Sequence, residues 1–276
     1  MDFEERHEKI LVPCVRVRAG TAGGSGTVLY SELNEEEGYS TYVLTNHHVV
    51  DNLIKVDKKW STLLKRDVKT DVFGIPNVEF FKWRYESRVV GAQSIEADIV
   101  TYDADEDLAL LKIRSDDKYV AATLYPKGKE RDLRLTMPVM AVGSGLGEPP
   151  VVTGGFLSQF GREIDNKEYW LQTAPTIYGN SGGAVFLQDG YEFIGVPARI
   201  AVSMAGFGSD AITHLSYIVP VTRVYEFLEA QLFRFVYDKN FTEKGEQAER
   251  DRRRKEEERM LAAREEVKQE DVKEDS

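Results

Sequence analysis

A serine among glycines, two histidines at the end of an apolar run and an aspartate at the head of another are the residues here whose types could do chemistry together. The serine is Ser181, in Thr173-Ala174-Pro175-Thr176-Ile177-Tyr178-Gly179-Asn180-Ser181-Gly182-Gly183-Ala184-Val185. A serine that attacks a carbonyl must stand on a tight turn whose backbone N–H groups can face the oxyanion as it develops. Glycine permits such a turn. The candidate oxyanion hole is Gly179, Asn180 and Ser181, with the N–H groups of Gly179 and Ser181 as donors. Taken alone, the Gly-Asn-Ser-Gly-Gly run also fits an ordinary surface turn, so its partners decide.

A base belongs at the end of Tyr42-Val43-Leu44-Thr45-Asn46-His47-His48-Val49-Val50. Imidazole, with an ordinary pKa of about 6.5, can take a hydroxyl proton near neutrality and return it to a leaving amine. The candidate acid is Asp107, the last carboxylate of Asp103-Ala104-Asp105-Glu106-Asp107 before Leu108-Ala109-Leu110-Leu111-Lys112-Ile113. A partly buried carboxylate there can fix the imidazole tautomer and stabilise its cation. Asp98, Asp103 and Asp105 compete for that place.

These segments, with Gly24-Ser25-Gly26-Thr27-Val28-Leu29 upstream, resemble the trypsin-like serine peptidases, and most closely the HtrA/Deg type, in the order His, Asp, Ser. The resemblance covers roughly residues 12–228. It implies an all-β fold of two six-stranded antiparallel barrels, with His48 and Asp107 delivered by the first and Ser181 by the second. It also implies ATP-independent hydrolysis of peptide bonds in proteins or peptides through an acyl-enzyme. Matching the family's Thr-Asn-x-His-Val-Val pattern puts the base on His48 rather than His47. Two departures stand out: Ala184 occupies a place where the family often has Pro, and the chain has no PDZ-like continuation. Asn180 stands where members activated by cleavage keep an Asp for the new amino terminus, so competence is expected without that ion pair.

The resemblance further implies a substrate pocket formed by Pro175, Thr176, Ile177 and Tyr178 with Ala198, Arg199, Ile200 and Leu215. Residues 174–177 carry no acid, and a buried substrate cation needs a paired anion. Ile200 at a wall and Leu215 near the base predict a shallow pocket and cleavage after Val, Ala or Ile. Arg199 at the rim is expected to favour an acidic residue further along the substrate. The competing reading is a catalytically silent trypsin-fold module for peptide binding or assembly.

The elements that must position these residues follow from patterning. The chain has 276 residues, 42% hydrophobic and 30% charged, enough for one large domain or two small ones. Short alternating runs at turn-punctuated spacing read as strands. They predict an extension over 1–11, a peptidase domain over 12–236 and a charged tail over 237–276. Within the domain, barrel one takes about 12–115, barrel two about 133–220 and a C-terminal amphipathic helix 222–236. Residues 50–76 read as an insertion with a short helix and a surface loop.

The tail loses nearly all apolar residues after Lys239 and interleaves both charge signs. It reads as a solvated helix or disorder, available for self-association or partner binding, whose removal after Asn240 should leave thermal stability and small-peptide hydrolysis nearly unchanged. Gly143-Ser144-Gly145-Leu146-Gly147-Glu148-Pro149-Pro150 lacks the Lys-Ser/Thr ending of a phosphate loop and leads into a strand-like run. The four histidines and one cysteine show no ligand spacing, so no metal or cofactor is expected. A net charge of -11 gives no reason to expect nucleic acid or an anionic membrane as partner. Cys14 allows no internal disulfide, and neither a signal-peptide pattern nor a membrane-length apolar run is present. Together these make the cytoplasm the expected location, with a mature exported form as the alternative.

Overall fold

The computed structural model describes residues 2–35, 37–61, 66–205 and 208–274. Six strands, β1 (Cys14–Ala19), β2 (Ala22–Leu33), β3 (Tyr39–Thr45), β6 (Asn77–Arg84), β7 (Arg88–Asp103) and β8 (Leu108–Ile113), close into an antiparallel barrel in the order β1-β2-β3-β8-β7-β6. Alternation explains the sequence. Val15, Val17, Val28, Val43, Ala109 and Leu111 fill the barrel, while Cys14, Leu29, Tyr42, Leu44, Leu108 and Leu110 point the other way into a second core. Because β8 is buried on both faces, it reads as a continuous apolar run rather than an alternating one.

The second barrel has the order β10-β11-β14-β13-β12-β9, formed by β9 (Pro138–Gly143), β10 (Val151–Ile164), β11 (Lys167–Gln172), β12 (Ala184–Leu187), β13 (Phe193–Ala205) and β14 (Gly208–Pro220). Its core is continuous with the outer face of barrel one, so Leu44 and Leu110 belong to one cluster with Val142, Phe186 and Val219. The barrels are therefore joined through one shared core. Among the described residues no helix is long and apolar enough to cross a membrane.

Three expectations change. Residues 50–76 hold a two-stranded ribbon, β4 (Ile54–Ser61) paired with β5 (Arg66–Phe73), after a single turn of helix α2 (His47–Val50). Its lysines alternate with Val56, Trp60 and Val72, which are themselves exposed, so its periodicity reports no buried face. The amino-terminal extension, for which the sequence predicts no element, is helical: α1 (Phe3–Arg6) runs into a π-type turn through Leu11 that buries Ile10 and sets His7 edge-on to Trp83 at 5.0 Å.

The third change is the tail. The apolar face expected over 222–236 divides into α3 (Val221–Ala230) and a 3-10 turn at Arg234–Val236, after which α4 (Glu243–Glu274) begins. The first turns of α4 are docked, contrary to the solvated helix expected. Glu246 is 3% exposed and accepts bonds from Arg234 Nε at 2.6 Å and Phe235 N–H at 3.2 Å. Glu243 accepts from Tyr42 Oη and Lys112 Nζ, both at 2.6 Å, and Arg250 lies over the Phe233 ring at 4.0 Å. Charged residues do here what apolar ones do elsewhere, which is why composition hides the docking.

Candidate active site

β3 ends at Thr45, and Asn46 caps the helical turn that carries the two histidines. His47 leaves the site by stacking on Tyr102, ring centroids 5.1 Å apart at 21°. His48 turns the other way, its Nδ1 lying 2.9 and 2.8 Å from the two carboxylate oxygens of Asp107. Asp107 also accepts the His48 backbone N–H at 3.0 Å, while its own carbonyl accepts Asn46 Nδ2 at 2.7 Å. The residue has φ +54°, a left-handed conformation uncommon outside glycine that surrounding bonds must hold. Asp103 makes the loop by accepting the N–H groups of Asp105 and Glu106 at 2.9 and 3.0 Å. Asp98 is engaged with Arg114 at 2.6 Å on the surface. Of the four competing carboxylates, Asp107 is the one that meets an imidazole.

The serine turn is built against this strand end. Gly182 has φ +83°, and a Cβ there would lie 2.2 Å from Ser25 O, 2.3 Å from Thr45 Oγ1 and 3.1 Å from Asn46 N, two residues before His48. Only glycine fits both the backbone angle and the space. Ser25, fully buried, grips the turn at two points and ties it to the Ser144 loop by a third bond. Its N–H donates to Ser181 O at 2.8 Å, its hydroxyl donates to Gly179 O at 2.7 Å, and the same hydroxyl accepts from Ser144 N–H at 2.7 Å. The sequence named Ser25 only as part of a matching motif. Its contacts, 119 residues away at Ser144 and 154 at Gly179, leave no local signal.

Asn180 is 6% exposed and acts through its side chain, its Oδ1 accepting Ile177 N–H at 3.0 Å. Its own N–H donates to Ile177 O at 3.0 Å, in keeping with the expectation that the donors of the candidate hole are the Gly179 and Ser181 N–H groups. Gly182 N–H and Gly183 N–H are likewise committed, to Pro197 O and Asn180 O. The N–H groups of Gly179 and Ser181 donate to no protein acceptor among the described residues. Two such donors on one turn beside a serine are what an oxyanion would need.

The pocket residues are partly rearranged. Pro175 O accepts Thr153 Oγ1 at 2.7 Å, Thr176 N–H donates to Thr213 O at 2.8 Å, and Tyr178 O accepts Leu146 N–H at 2.7 Å. Ala198 and Ile200 lie on β13, but Ile200 pairs with Ser216 and Ala201 with Ile212. Leu215 falls in the intervening irregularity, so the fully buried Ser216, not Leu215, faces Ile200. Arg199 is not free at the rim: its Nη1 pairs with Asp165 at 2.7 Å and its guanidinium lies 5.3 Å from the Tyr169 ring centre. Among the described residues no group of three or more His, Cys, Asp or Glu side chains could hold a metal ion.

Two closed six-stranded barrels, with an Asp-His pair on one and a serine turn with unclaimed N–H donors on the other, define a chymotrypsin-like peptidase architecture. The chain belongs to the trypsin-like peptidase domain family, whose model matches residues 24–196. Among curated proteins it is similar to a probable periplasmic serine endoprotease, DegP-like, of Hahella chejuensis, with 32% identity over 49% of this chain and 27% of the relative. It is also similar to the serine protease Do-like HtrA of Lactococcus lactis subsp. lactis, 29% identical over 75% of this chain and 45% of that one. The chain thus spans less than half the length of these relatives. Solved structures with the same fold include an HtrA-type protease, AlgW, with TM-score 0.57 and 20% identity over 83% of this chain and 63% of that one. The serine endoprotease from Yersinia pestis matches with TM-score 0.57 and 18% identity over 85% and 67%.

Proposed function

We propose that this protein is a serine endopeptidase in which Ser181 is the nucleophile, His48 the general base and acid, and Asp107 the carboxylate that orients it. The observation that carries the reading is the two-oxygen grip of Asp107 on His48 Nδ1, set beside a serine turn whose Gly179 and Ser181 N–H groups are unclaimed. Nδ1–H donation to Asp107 leaves Nε2 as the acceptor for the serine proton. Attack on a peptide carbonyl then places the oxyanion against the two N–H groups. Collapse expels the amine, protonated by His48, and water releases the acyl group by the same steps in reverse.

A fluorophosphonate probe should label wild-type protein on Ser181, with Ser181→Ala and His48→Ala unlabelled. Labelling that persists in Ser181→Ala would sink the assignment, and absence of labelling in the wild type would favour the silent module. Asp107→Asn should fold yet lose roughly 10⁴-fold in kcat, the loss expected when the imidazole tautomer is wrong.

The substrate is a protein or peptide cut after a small aliphatic residue. Ile200 opposite Ser216 supports a shallow pocket, and residues 174–177 bring no carboxylate to its wall. Profiling of cut sites in an unfolded protein should give Val, Ala or Ile before the scissile bond. A preference for Lys, Arg or large aromatics would refute the pocket while leaving the triad reading intact. Ile200→Gly should extend the range to Leu and Phe by removing a steric block. For location, the single cysteine supports a reducing compartment, whereas the DegP-like relatives are named periplasmic; cell fractionation separates the two.

A further inference from the structure

A cleft of about 710 Å³ opens beside Gly179, between the β1–β2 hairpin and the loop that carries Ser144, Leu146 and Gly147. Its charged lining consists of Arg16 and Arg18; no carboxylate lines it. The two side chains share one face of β1, since Val15, Val17 and Ala19 take the other into the barrel. Arg16 is committed, donating to the Glu79 carboxylate and to Gly147 O. Arg18 is 58% exposed, and its Nη1 reaches the same Glu79 only at 3.4 Å. One carboxylate, 9% exposed on the neighbouring strand β6 opposite Arg16, therefore faces two guanidinium groups. The cleft keeps a net positive charge in a molecule of formal charge -11.

Its place relative to Ser181 fixes its use. The turn is held on one side by β13, through Gly182 N–H to Pro197 O, and on the other by β2, through Ser25 N–H to Ser181 O. The pocket for the residue before the scissile bond lies on the β13 side, with Ile200. The polypeptide beyond that bond must leave over the opposite side, across β1 and β2, where the arginine cleft lies. We propose that this cleft is a leaving-side subsite in which Arg18 selects an acidic side chain within the first three residues after the scissile bond. The inference rests on the serine-peptidase reading and deepens it. It also replaces Arg199, whose charge is met by Asp165, as the residue that reads acidity in the substrate.

The test uses matched quenched peptides of one sequence up to the scissile bond, with Glu, Ala or Lys in turn at each of the three following positions. At one of these positions wild-type protein should cleave the Glu peptide about three- to fivefold better in kcat/KM than Ala, and Lys worst. This is the size expected of a partly exposed pair, and the gap should narrow as salt rises. Arg18→Gln should bring the three peptides level and Arg18→Glu should invert the order. Wild-type protein indifferent to the substitution at all three positions, or Arg18→Glu keeping the wild-type order, overturns the subsite. The fluorophosphonate has no leaving-side peptide, so labelling of the wild type reads the triad alone. Labelling without acidic preference removes only the subsite, whereas no labelling and no cleavage removes the peptidase reading itself.

Discussion

At the scale of single residues, the chemistry was legible where it depends on residue type within a short run and illegible where it depends on a distant contact. Ser181, His48 and Asp107 each sit in a local pattern that states what they could do. The choice of Asp107 over Asp98 needed the geometry, since both are acids near apolar strands, and only the fold turns one toward an imidazole and the other toward Arg114. Ser25 is the residue that pattern alone could not value. Removing its hydroxyl leaves the buried Ser144 N–H and the half-buried Gly179 O without their partner, at a cost of up to about 1–3 kcal/mol for the buried group. Ser25→Ala should therefore fold but show kcat lowered by roughly 10- to 100-fold, with KM for a small ester nearly unchanged, because it loosens the oxyanion turn rather than the pocket. Equal loss in KM and kcat, or none in either, would speak against this positioning role. Asn180 should tolerate change less well than an ordinary turn residue, because its Oδ1 holds Ile177 N–H where an ion pair holds the turn in cleavage-activated peptidases.

Among the elements, strands with one buried face announced themselves and ribbons without one did not. β4 and β5 alternate as strands do, yet Val56 and Trp60 are more than 60% exposed, so no apolar stripe marks them in the sequence. The bulged register between β13 and β14 was equally hidden, and it puts Ser216 rather than Leu215 opposite Ile200. The loop from β7 to β8 illustrates how one element borrows support from others. Glu106, next to Asp107, accepts Arg223 Nε of α3 at 2.6 Å and pairs with Lys167 of β11, so both barrels hold the loop in its left-handed turn. Burial pushes the Glu106 carboxyl up, but the bonds from Lys167 and Arg223 outweigh that and hold it below the ordinary glutamate range. A lowered folded-state value means that the stabilisation is complete above the ordinary carboxylate range and is lost as pH falls through the lowered value. Glu106→Gln should lower the melting temperature at pH 7 and reduce that difference in acid, as followed by calorimetry between pH 7 and pH 3. If the variant loses as much at pH 3 as at pH 7, the ion pair is not what holds the loop.

For the molecule as a whole, the double barrel was implied by the family resemblance and allowed by the number of strand-like runs, whereas the docking of the tail was hidden because it uses charge. Cutting after Asn240 removes Glu243, Glu246 and Arg250, and strands Arg234, Lys112 and the Phe233 face without their partners. Losing partners of buried or half-buried charges costs several kcal/mol, so the melting temperature should drop by roughly 5–15 °C. Cutting after Arg254 keeps those contacts and should cost little; similar melting curves for both truncations would show that the docking contributes nothing. The anchoring of the serine turn has its own bearing on time. Its hold comes from Ser25, 154 positions before Gly179 along the chain, and from the strand end at Thr45 and Asn46. Such distant pairings form late, because the intervening chain must first be brought to order. The hold on the serine turn is therefore expected among the later contacts to form, so that a chain still folding would carry the serine before the turn is fixed around it.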